Sequence, residues 1–281
     1  MQIIEHIPEM QSWSEEQRRQ GRRIALVPTM GFLHEAHLKL VREAKNRAGR
    51  VVVSIFVNPA QFAPEEDFAA YPRDFETDRR LLLAERVDVL FYPPAAEMYP
   101  EGYQSYVEVE KLSAPLCGAF RSGHFRGVAT VVAKLFHIVC PHAAVFGRKD
   151  YQQLQIIRRL VRDLNFDIEI VGYPIVREPD GLAMSSRNAY LTAKEREAAL
   201  SISRSLRKAE AMVRHGESGG AAIVQAVRNE IGKESIAKIE YVSLCDPETL
   251  REVDQVRGAA LLAVAVRMGK ARLIDNTMLE S

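Results

Sequence analysis

The sequence predicts an α/β fold, in which a parallel β-sheet is covered by helices on both faces, followed by a smaller C-terminal α+β domain. Apolar, often β-branched runs alternate with stretches of helical spacing over the first 176 residues, as in a parallel sheet with crossover helices. These runs are apolar at consecutive positions, as expected for strands that are buried on both faces. After residue 176 the pattern changes to two helices followed by three strands.

The first region contains five runs with strand character and four segments with helical spacing. The predicted strands are residues 24–27, 50–56, 87–91, 143–146 and 167–171. The predicted helices are residues 37–48, 75–85, 127–139 and 151–164. Parallel strands need crossover connections, so this order favours a Rossmann-like sheet, and ligands of such sheets bind at the carboxyl ends of the strands.

The second region begins with a long helix. Thr192 and Glu195 have the spacing of a capping box, which predicts the helix start. A second helix is predicted at residues 221–232, and strands at 239–244, 259–266 and 272–275. We therefore expect two domains, residues 1–176 and 177–281.

Composition excludes several classes of protein. The 281 residues carry 38 Lys and Arg against 37 Asp and Glu, a net charge of +1, so no basic face for nucleic acid is indicated. Cys117, Cys140 and Cys245 are few and far apart, which suits a reducing compartment. The N-terminal residues lack signal-peptide order, and no apolar run reaches the roughly 20 residues of a membrane helix. We expect a soluble, cytoplasmic protein that binds neither nucleic acid nor membrane.

The most informative segment is residues 27–37, which joins the first strand to a helix. His34 and His37 are three residues apart, so they share one face of the first helical turn. A helix N-terminus attracts anions through its free N–H groups, and two imidazoles there suit a polyphosphate. The alternatives are a helix cap with two surface histidines, or a zinc pair. The zinc pair lacks visible partners, since the chain contains neither Cys-x-x-Cys nor His-Glu-x-x-His.

Four further polar segments each follow a predicted strand or join the two predicted domains. Asn58 and Gln61 carry amides that can bind hydroxyls and carboxylates. Residues 71–78 contain Tyr-Pro-Arg followed by acids, and residues 146–153 place a glycine and a lysine before a helix, which suits phosphate. Residues 181–188 contain serines and an arginine that suit a triphosphate. Taken singly, the alternatives are an ordinary Asn-Pro turn, a solvated helix start and a simple loop.

Together, these segments resemble the signatures of the pantoate–β-alanine ligase family, in the nucleotidylyltransferase and class I tRNA-synthetase superfamily. The shared strings are Met-Gly-x-Leu-His-x-x-His at residues 30–37, Asn-Pro-x-Gln-Phe at 58–62, Tyr-Pro-Arg at 71–73, Phe-Gly-x-Lys-Asp-x-Gln-Gln at 146–153 and Met-Ser-Ser-Arg-Asn at 184–188. His-Phe-Arg-Gly at 124–127 also matches; we expect it to line the substrate side or a dimer contact, without a catalytic role.

The resemblance implies roles for individual residues. The catalytic group would be His37, His34 and Lys149, with His37 transferring the proton. Asn58, Gln61 and Gln153 would bind pantoate and β-alanine, and Asp78 would contact a metal. Residues implied in ATP binding are Met30, Gly31, His34, His37, Gly147, Lys149, Asp150, Val176, Met184, Ser185, Ser186 and Arg187.

The reaction implied is the condensation of pantoate with β-alanine. ATP would first convert pantoate to pantoyl adenylate with release of pyrophosphate, and β-alanine would then displace AMP to give pantothenate. Such chemistry requires positioning and charge stabilisation rather than a protein nucleophile. Mg²⁺ would accompany ATP, the C-terminal domain would close over ATP, and the family forms homodimers.

Two positions depart from the family pattern. Ala36 stands where the family motif has glycine, so its methyl group could crowd the adenine. Thr77 stands where an acid is common, which leaves Asp78 as the metal contact.

Two alternative functions stay open at this point. A plain nucleotidylyltransferase would call for Arg or Lys, rather than Gln61 and Gln153, against a phosphate acceptor. A non-catalytic ATP-binding relative would have no need to retain both histidines, Lys149 and Arg187, and Ala36 is the only visible hint for it.

Overall fold

The computed structural model describes residues 1–64 and 66–281, and it contains a six-stranded sheet in which every pairing is parallel. The strands are β1 (Gln2–Ile4), β2 (Ile24–Thr29), β3 (Arg50–Ile55), β4 (Val89–Phe91), β5 (Ala143–Gly147) and β6 (Glu169–Tyr173). Their order across the sheet is β1-β4-β3-β2-β5-β6. The predicted α/β class with a parallel sheet is confirmed.

Helices connect these strands. They are α1 (Ile7–Arg19), α2 (Glu35–Arg47), α3 (Phe75–Ala84), α4 (Ala95–Met98), α5 (Glu110–Ser113), α6 (Cys117–Phe120), α7 (His124–Val139) and α8 (Tyr151–Asp163). Ile24, Ala25, Leu26 and Val27 are all fully buried. Successive strand residues point to opposite faces, so both faces of the sheet are covered at β2.

The order of the strands reverses beside β2. The chain passes from β2 to β3 and then to β4 on one side, and returns to β5 on the other side of β2. Such a switch point leaves a crevice outside the carboxyl ends of the two central strands. Here those ends are Thr29 and Gly147, which place residues 30–37 and the glycine of the phosphate segment at the ligand-binding edge.

Neither β1 nor α1 was predicted from the sequence, and some of the predicted boundaries were wrong. Only Ile4 of β1 is buried, and α1 buries Met10 together with the polar Ser14 and Gln17, so neither element has a clear apolar pattern. The helix predicted to start at residue 127 starts at His124, and the strand predicted to end at residue 275 continues to Glu280.

The chain divides into two compact units. The first contains Met1–Ser113, Arg121–Arg148 and Gln153–Pro174, and the second contains Ala114–Phe120, Lys149–Gln152 and Ile175–Ser281. The second unit includes α9 (Ala193–Arg214), α10 (Gly220–Ile231) and an antiparallel sheet of β7 (Ala237–Cys245), β8 (Ala259–Met268) and β9 (Ala271–Glu280).

The predicted small α+β region is therefore confirmed, and so is the capping box at its long helix. The hydroxyl of Thr192 accepts the N–H of Glu195, and the carboxylate of Glu195 accepts the N–H of Thr192 at 2.9 Å. Within residues 1–64 and 66–281, no helix is both long enough and apolar enough to cross a membrane.

Candidate active site

The turn between β2 and α2 is held by a buried carboxylate. Gly31 and Phe32 both have left-handed backbone angles, with φ of 81° and 51°. Their turn exposes two consecutive N–H groups, and Asp78 accepts both, from Phe32 at 2.8 Å and from Leu33 at 2.6 Å. This carboxylate reaches from α3 to fix the backbone that leads into His34.

Asp78 was predicted as a metal contact. It is 2% exposed, burial raises the pKa of its carboxyl, and both of its oxygens accept backbone N–H groups. Asp74 caps α3 instead, by accepting the N–H of Thr77 at 3.1 Å. No cluster of three His, Cys, Asp or Glu able to hold a metal exists among residues 1–64 and 66–281. A metal contact at Asp78 stays a prediction.

His34 and His37 lie together at the start of α2. His34 is the N-cap, just outside the helix rather than in its first turn as predicted, and His37 is the third helical residue. Their ring centroids are 4.1 Å apart. The N–H of His34 donates to Nδ1 of His37 at 3.3 Å, so Nδ1 must carry the lone pair. The proton of the neutral His37 ring therefore lies on Nε2.

The amides of Asn58 and Gln61 lie in a turn after β3. Asn58 caps the single 3₁₀ turn Pro59–Gln61 by accepting the N–H of Ala60. Its side-chain N–H groups donate to the Gln61 side-chain oxygen and to the Gly127 carbonyl, each at 3.1 Å. Gln61 in turn donates to the sulfur of Met30 at 3.0 Å, which joins two of the predicted binding segments.

The His-Phe-Arg-Gly segment supports this turn. Nδ1 of His124 contacts the Gln61 carbonyl at 2.8 Å, and since a carbonyl only accepts, Nδ1 carries the proton. Nε2 of His124 then accepts from Arg121 at 2.9 Å, and Arg121 pairs with Glu66. The structure thus gives His124 a contact with Gln61 that sequence reasoning did not assign.

The second unit brings three of the predicted ATP residues together. The N–H of Met184 donates to the Val176 carbonyl at 3.0 Å, and the ammonium of Lys149 contacts the Met184 carbonyl at 3.4 Å. The Lys149 carbonyl accepts from the side chain of Asn276 at 2.9 Å. Val176, Met184 and Lys149, which are distant in sequence, therefore form one cluster.

The serine–arginine loop continues from this cluster. Ser185 caps the 3₁₀ helix Ser186–Tyr190 by accepting the N–H of Arg187 at 3.3 Å, and Ser186 is buried. The other predicted residues lie at ends of elements: Gly147 ends β5, Asp150 ends the 3₁₀ turn Arg148–Asp150, and Gln153 lies in the first turn of α8.

An ion pair next to Val176, between the partly exposed Arg177 and the buried Asp275, was not predicted. Arg177 donates to both oxygens of Asp275, at 2.6 and 3.0 Å. Burial raises the pKa of the Asp275 carboxyl, although Arg177 and Lys149 oppose that shift. Asp275 lies in the otherwise largely apolar first half of β9. Because a buried charge needs a partner, this aspartate could have indicated an ion pair from the sequence.

The family model described as pantoate–β-alanine ligase matches residues 2–278. The chain belongs to the pantoate–β-alanine ligase family.

Relatives match this ligase along its whole length. The pantothenate synthetases of Syntrophobacter fumaroxidans and Thermotoga neapolitana are 57% and 55% identical to it over 279 residues, which cover 99% of this chain and 99% and 100% of theirs. The crystal structure of pantothenate synthetase from Thermus thermophilus is 45% identical, with a TM-score of 0.94 and 99% coverage of both chains. The Francisella tularensis ligase, complexed with β,γ-ATP and β-alanine, is 35% identical, with a TM-score of 0.83 and coverage of 99% of this chain and 97% of that one.

Proposed function

We propose that this ligase condenses pantoate with β-alanine to give pantothenate, AMP and pyrophosphate, through a pantoyl-adenylate intermediate. The observation that carries the proposal is the bond from Gln61 to Met30, because it joins the amide turn to the segment that holds His34 and His37. An acceptor-binding amide and a polyphosphate-binding pair of imidazoles then serve one site. Full-length relatives named pantothenate synthetase support the same reaction.

In the first step, a carboxylate oxygen of pantoate attacks the α-phosphorus of ATP. A P–O bond forms to pantoate, and the bond to pyrophosphate breaks. His34, His37 and Lys149 stabilise the negative charge that develops on the phosphoryl oxygens. For His37 the acting atom is Nε2, since Nδ1 accepts the N–H of His34.

In the second step, the amine of β-alanine attacks the carbonyl of the pantoyl adenylate. The C–N bond forms, AMP leaves with the former carboxylate oxygen, and the amine loses a proton. Gln61, Gln153 and Asn58 position the two acids. Nε2 of His37 already carries a proton, so we assign it as the donor that passes a proton to the departing AMP, and the proton lost by the amine replaces it. No protein nucleophile is needed, because the adenylate is itself the activated acyl group.

We assign ATP binding to residues in both units. Met30, Gly31, His34, His37 and Gly147 belong to the first unit. Those of the second unit are Lys149, Asp150, Val176, Met184, Ser185, Ser186 and Arg187. Their serine hydroxyls, lysine and arginine suit phosphate oxygens, and the Val176 backbone suits adenine. A domain boundary at residue 176, with a C-terminal domain that closes over ATP, is part of the same proposal.

Magnesium enters this proposal as part of the substrate. Mg²⁺ prefers oxygen ligands and is commonly held through substrate phosphates, so the magnesium complex of ATP needs no protein-built cage. A homodimer and a cytoplasmic location complete the proposal; the family resemblance supports the dimer, and the sparse, separated cysteines suit a reducing compartment.

The direct test is product analysis with ATP, magnesium, pantoate and β-alanine. We expect AMP, pyrophosphate and pantothenate in equal amounts, and no AMP when pantoate is left out. Formation of ADP and phosphate would contradict the adenylate route, since it would indicate attack at the γ-phosphorus.

A further inference from the structure

The amide of Asn58 has a fixed orientation. Its oxygen faces the N–H of Ala60 at 3.3 Å, and its nitrogen faces the Gly127 carbonyl at 3.1 Å. A backbone N–H only donates and a backbone carbonyl only accepts, so the two ends of the amide cannot be exchanged. The side chain is 1% exposed, and this orientation is therefore set by the fold.

The orientation of Asn58 determines that of Gln61. The nitrogen of Asn58 donates its second hydrogen to the side-chain oxygen of Gln61 at 3.1 Å. The Gln61 nitrogen must then point the other way, where it contacts the sulfur of Met30. Gln61 is held as a hydrogen-bond donor, so the atom that it suits on a ligand is a carboxylate or hydroxyl oxygen.

Tyr99 is the third member of this network. Its hydroxyl donates to the oxygen of Asn58 at 2.8 Å, the shortest bond that this amide makes. The ring is half-buried, and burial raises the pKa of the phenol, so the hydroxyl keeps its proton at neutral pH. Tyr103 packs edge-on against this ring, with centroids 5.0 Å apart, and Lys134 lies over both rings.

We propose that Tyr99 is a positioning residue for pantoate: it acts through Asn58 to hold the side-chain N–H of Gln61 toward an oxygen of the substrate. This inference rests on the proposed role of Gln61 in pantoate binding. Without the tyrosine hydroxyl, the oxygen of Asn58 keeps only the longer bond to Ala60, so the amide pair retains its orientation but is held less firmly in place.

The test compares two tyrosines of the same aromatic ladder. Tyr99→Phe removes the hydroxyl that donates to Asn58, and Tyr103→Phe removes a neighbouring hydroxyl outside the Asn58–Gln61 network. Loss of one neutral hydrogen bond should raise the KM for pantoate in Tyr99→Phe about 5-fold. The kcat should stay within about twofold and the KM for ATP should be unchanged, because the effect is on substrate binding. Tyr103→Phe should match the wild type in all three constants.

Gln61→Ala separates failure of this inference from failure of the role on which it rests. A higher pantoate KM in Gln61→Ala, with none in Tyr99→Phe, would overturn the role of Tyr99 and leave that of Gln61 intact. An unchanged pantoate KM in Gln61→Ala would overturn both. Equal changes in the two tyrosine variants, or a lower Tm in Tyr99→Phe with every kinetic constant shifted alike, would indicate general packing and would also overturn the inference.

Discussion

In the segment between β2 and α2, one hydrogen bond sets the tautomer of His37. The N–H of His34 occupies Nδ1 of His37, and this leaves Nε2 as the nitrogen that carries the proton of the neutral ring. Asp78 holds the two N–H groups immediately before His34, so the backbone on which both imidazoles depend is fixed from α3. A ring with a defined tautomer on a fixed backbone is suited to act on a developing phosphoryl charge.

His37→Ala should lower the rate of pantoate adenylation by a factor of about 100 or more, the usual scale for a positioned acid or base. Single-turnover formation of AMP and pyrophosphate measures this rate, and circular dichroism checks that the fold is retained. A rate near that of the wild type would remove His37 from the mechanism.

Ala36→Gly should lower the KM for ATP. The alanine methyl lies in the first turn of α2, between the two histidines in sequence, where the family motif has glycine. Its removal would let adenine approach the backbone more closely. Initial-rate kinetics with varied ATP test this prediction, and equal constants in the two proteins would refute it.

Several residues of the candidate site could be identified from the sequence alone. His34, His37, Asn58 and Gln61 could be chosen because they follow strands and match short motifs. Tyr99 could not, because its link to Asn58 spans 41 residues and depends on the tertiary fold. The two hydrogen bonds that Asp78 accepts could not be predicted either, because they also depend on the tertiary fold.

At the scale of secondary-structure elements, α7 packs closely against the 3₁₀ turn Pro59–Gln61. A Cβ atom at Gly127 would lie 2.1 Å from the Ala60 carbonyl oxygen, closer than any side-chain contact allows. Glycine inside a helix is unfavourable by propensity, so its presence in α7 needs a packing reason. Close packing on the turn that carries Gln61 explains why glycine stands there.

Gly127→Ala should therefore destabilise the protein by about 1–3 kcal/mol, the usual cost of overpacking, and should raise the KM for pantoate. Gly49→Ala is the matched control, because a Cβ atom there meets nothing within 4 Å. Urea denaturation and pantoate kinetics on both variants measure the effect. Equal stability of the two variants would show that α7 can shift away without cost.

The Arg177–Asp275 pair joins the segment after Val176 to β9. Arg177→Leu leaves a nearly fully buried carboxylate without its ion-pair partner. Breaking a fully buried pair costs about 3–5 kcal/mol, and we expect a smaller loss here because the Arg177 side chain is 30% exposed. Burial already raises the pKa of Asp275 in the folded state, and loss of Arg177 raises it further. Protonation of Asp275 stabilises the folded protein. This gain is fully present below the pKa that Asp275 has in the unfolded chain, and it is lost as the pH rises through the higher pKa of the folded state.

The destabilisation of Arg177→Leu should therefore shrink as the pH is lowered from 7 toward the unfolded pKa of about 4. Urea denaturation at several pH values measures it, with Arg177→Leu/Asp275→Asn as the control that lacks the charge. If Arg177→Leu loses the same free energy of unfolding at every pH, a buried carboxylate without its partner cannot be the cause.

On the scale of the whole molecule, the alternation of apolar runs and helices was sufficient to predict a parallel sheet and a separate α+β region. The strand order β1-β4-β3-β2-β5-β6 was not predictable, because periodicity shows which residues are buried but not which strands are neighbours. The edge strand β1 has only one buried residue, so it carries almost no pattern. The switch point beside β2 nevertheless lies where the histidine motif had indicated a ligand.

The pantoyl-adenylate route is tested most sharply by pantoate-dependent exchange of pyrophosphate into ATP, with magnesium and without β-alanine. We expect exchange that requires pantoate, because the adenylate forms reversibly before the amine acts. We also expect His37→Ala to lower the exchange rate in parallel with the adenylation rate. ATP binding without any pantoate-dependent exchange would contradict the pantoyl-adenylate route.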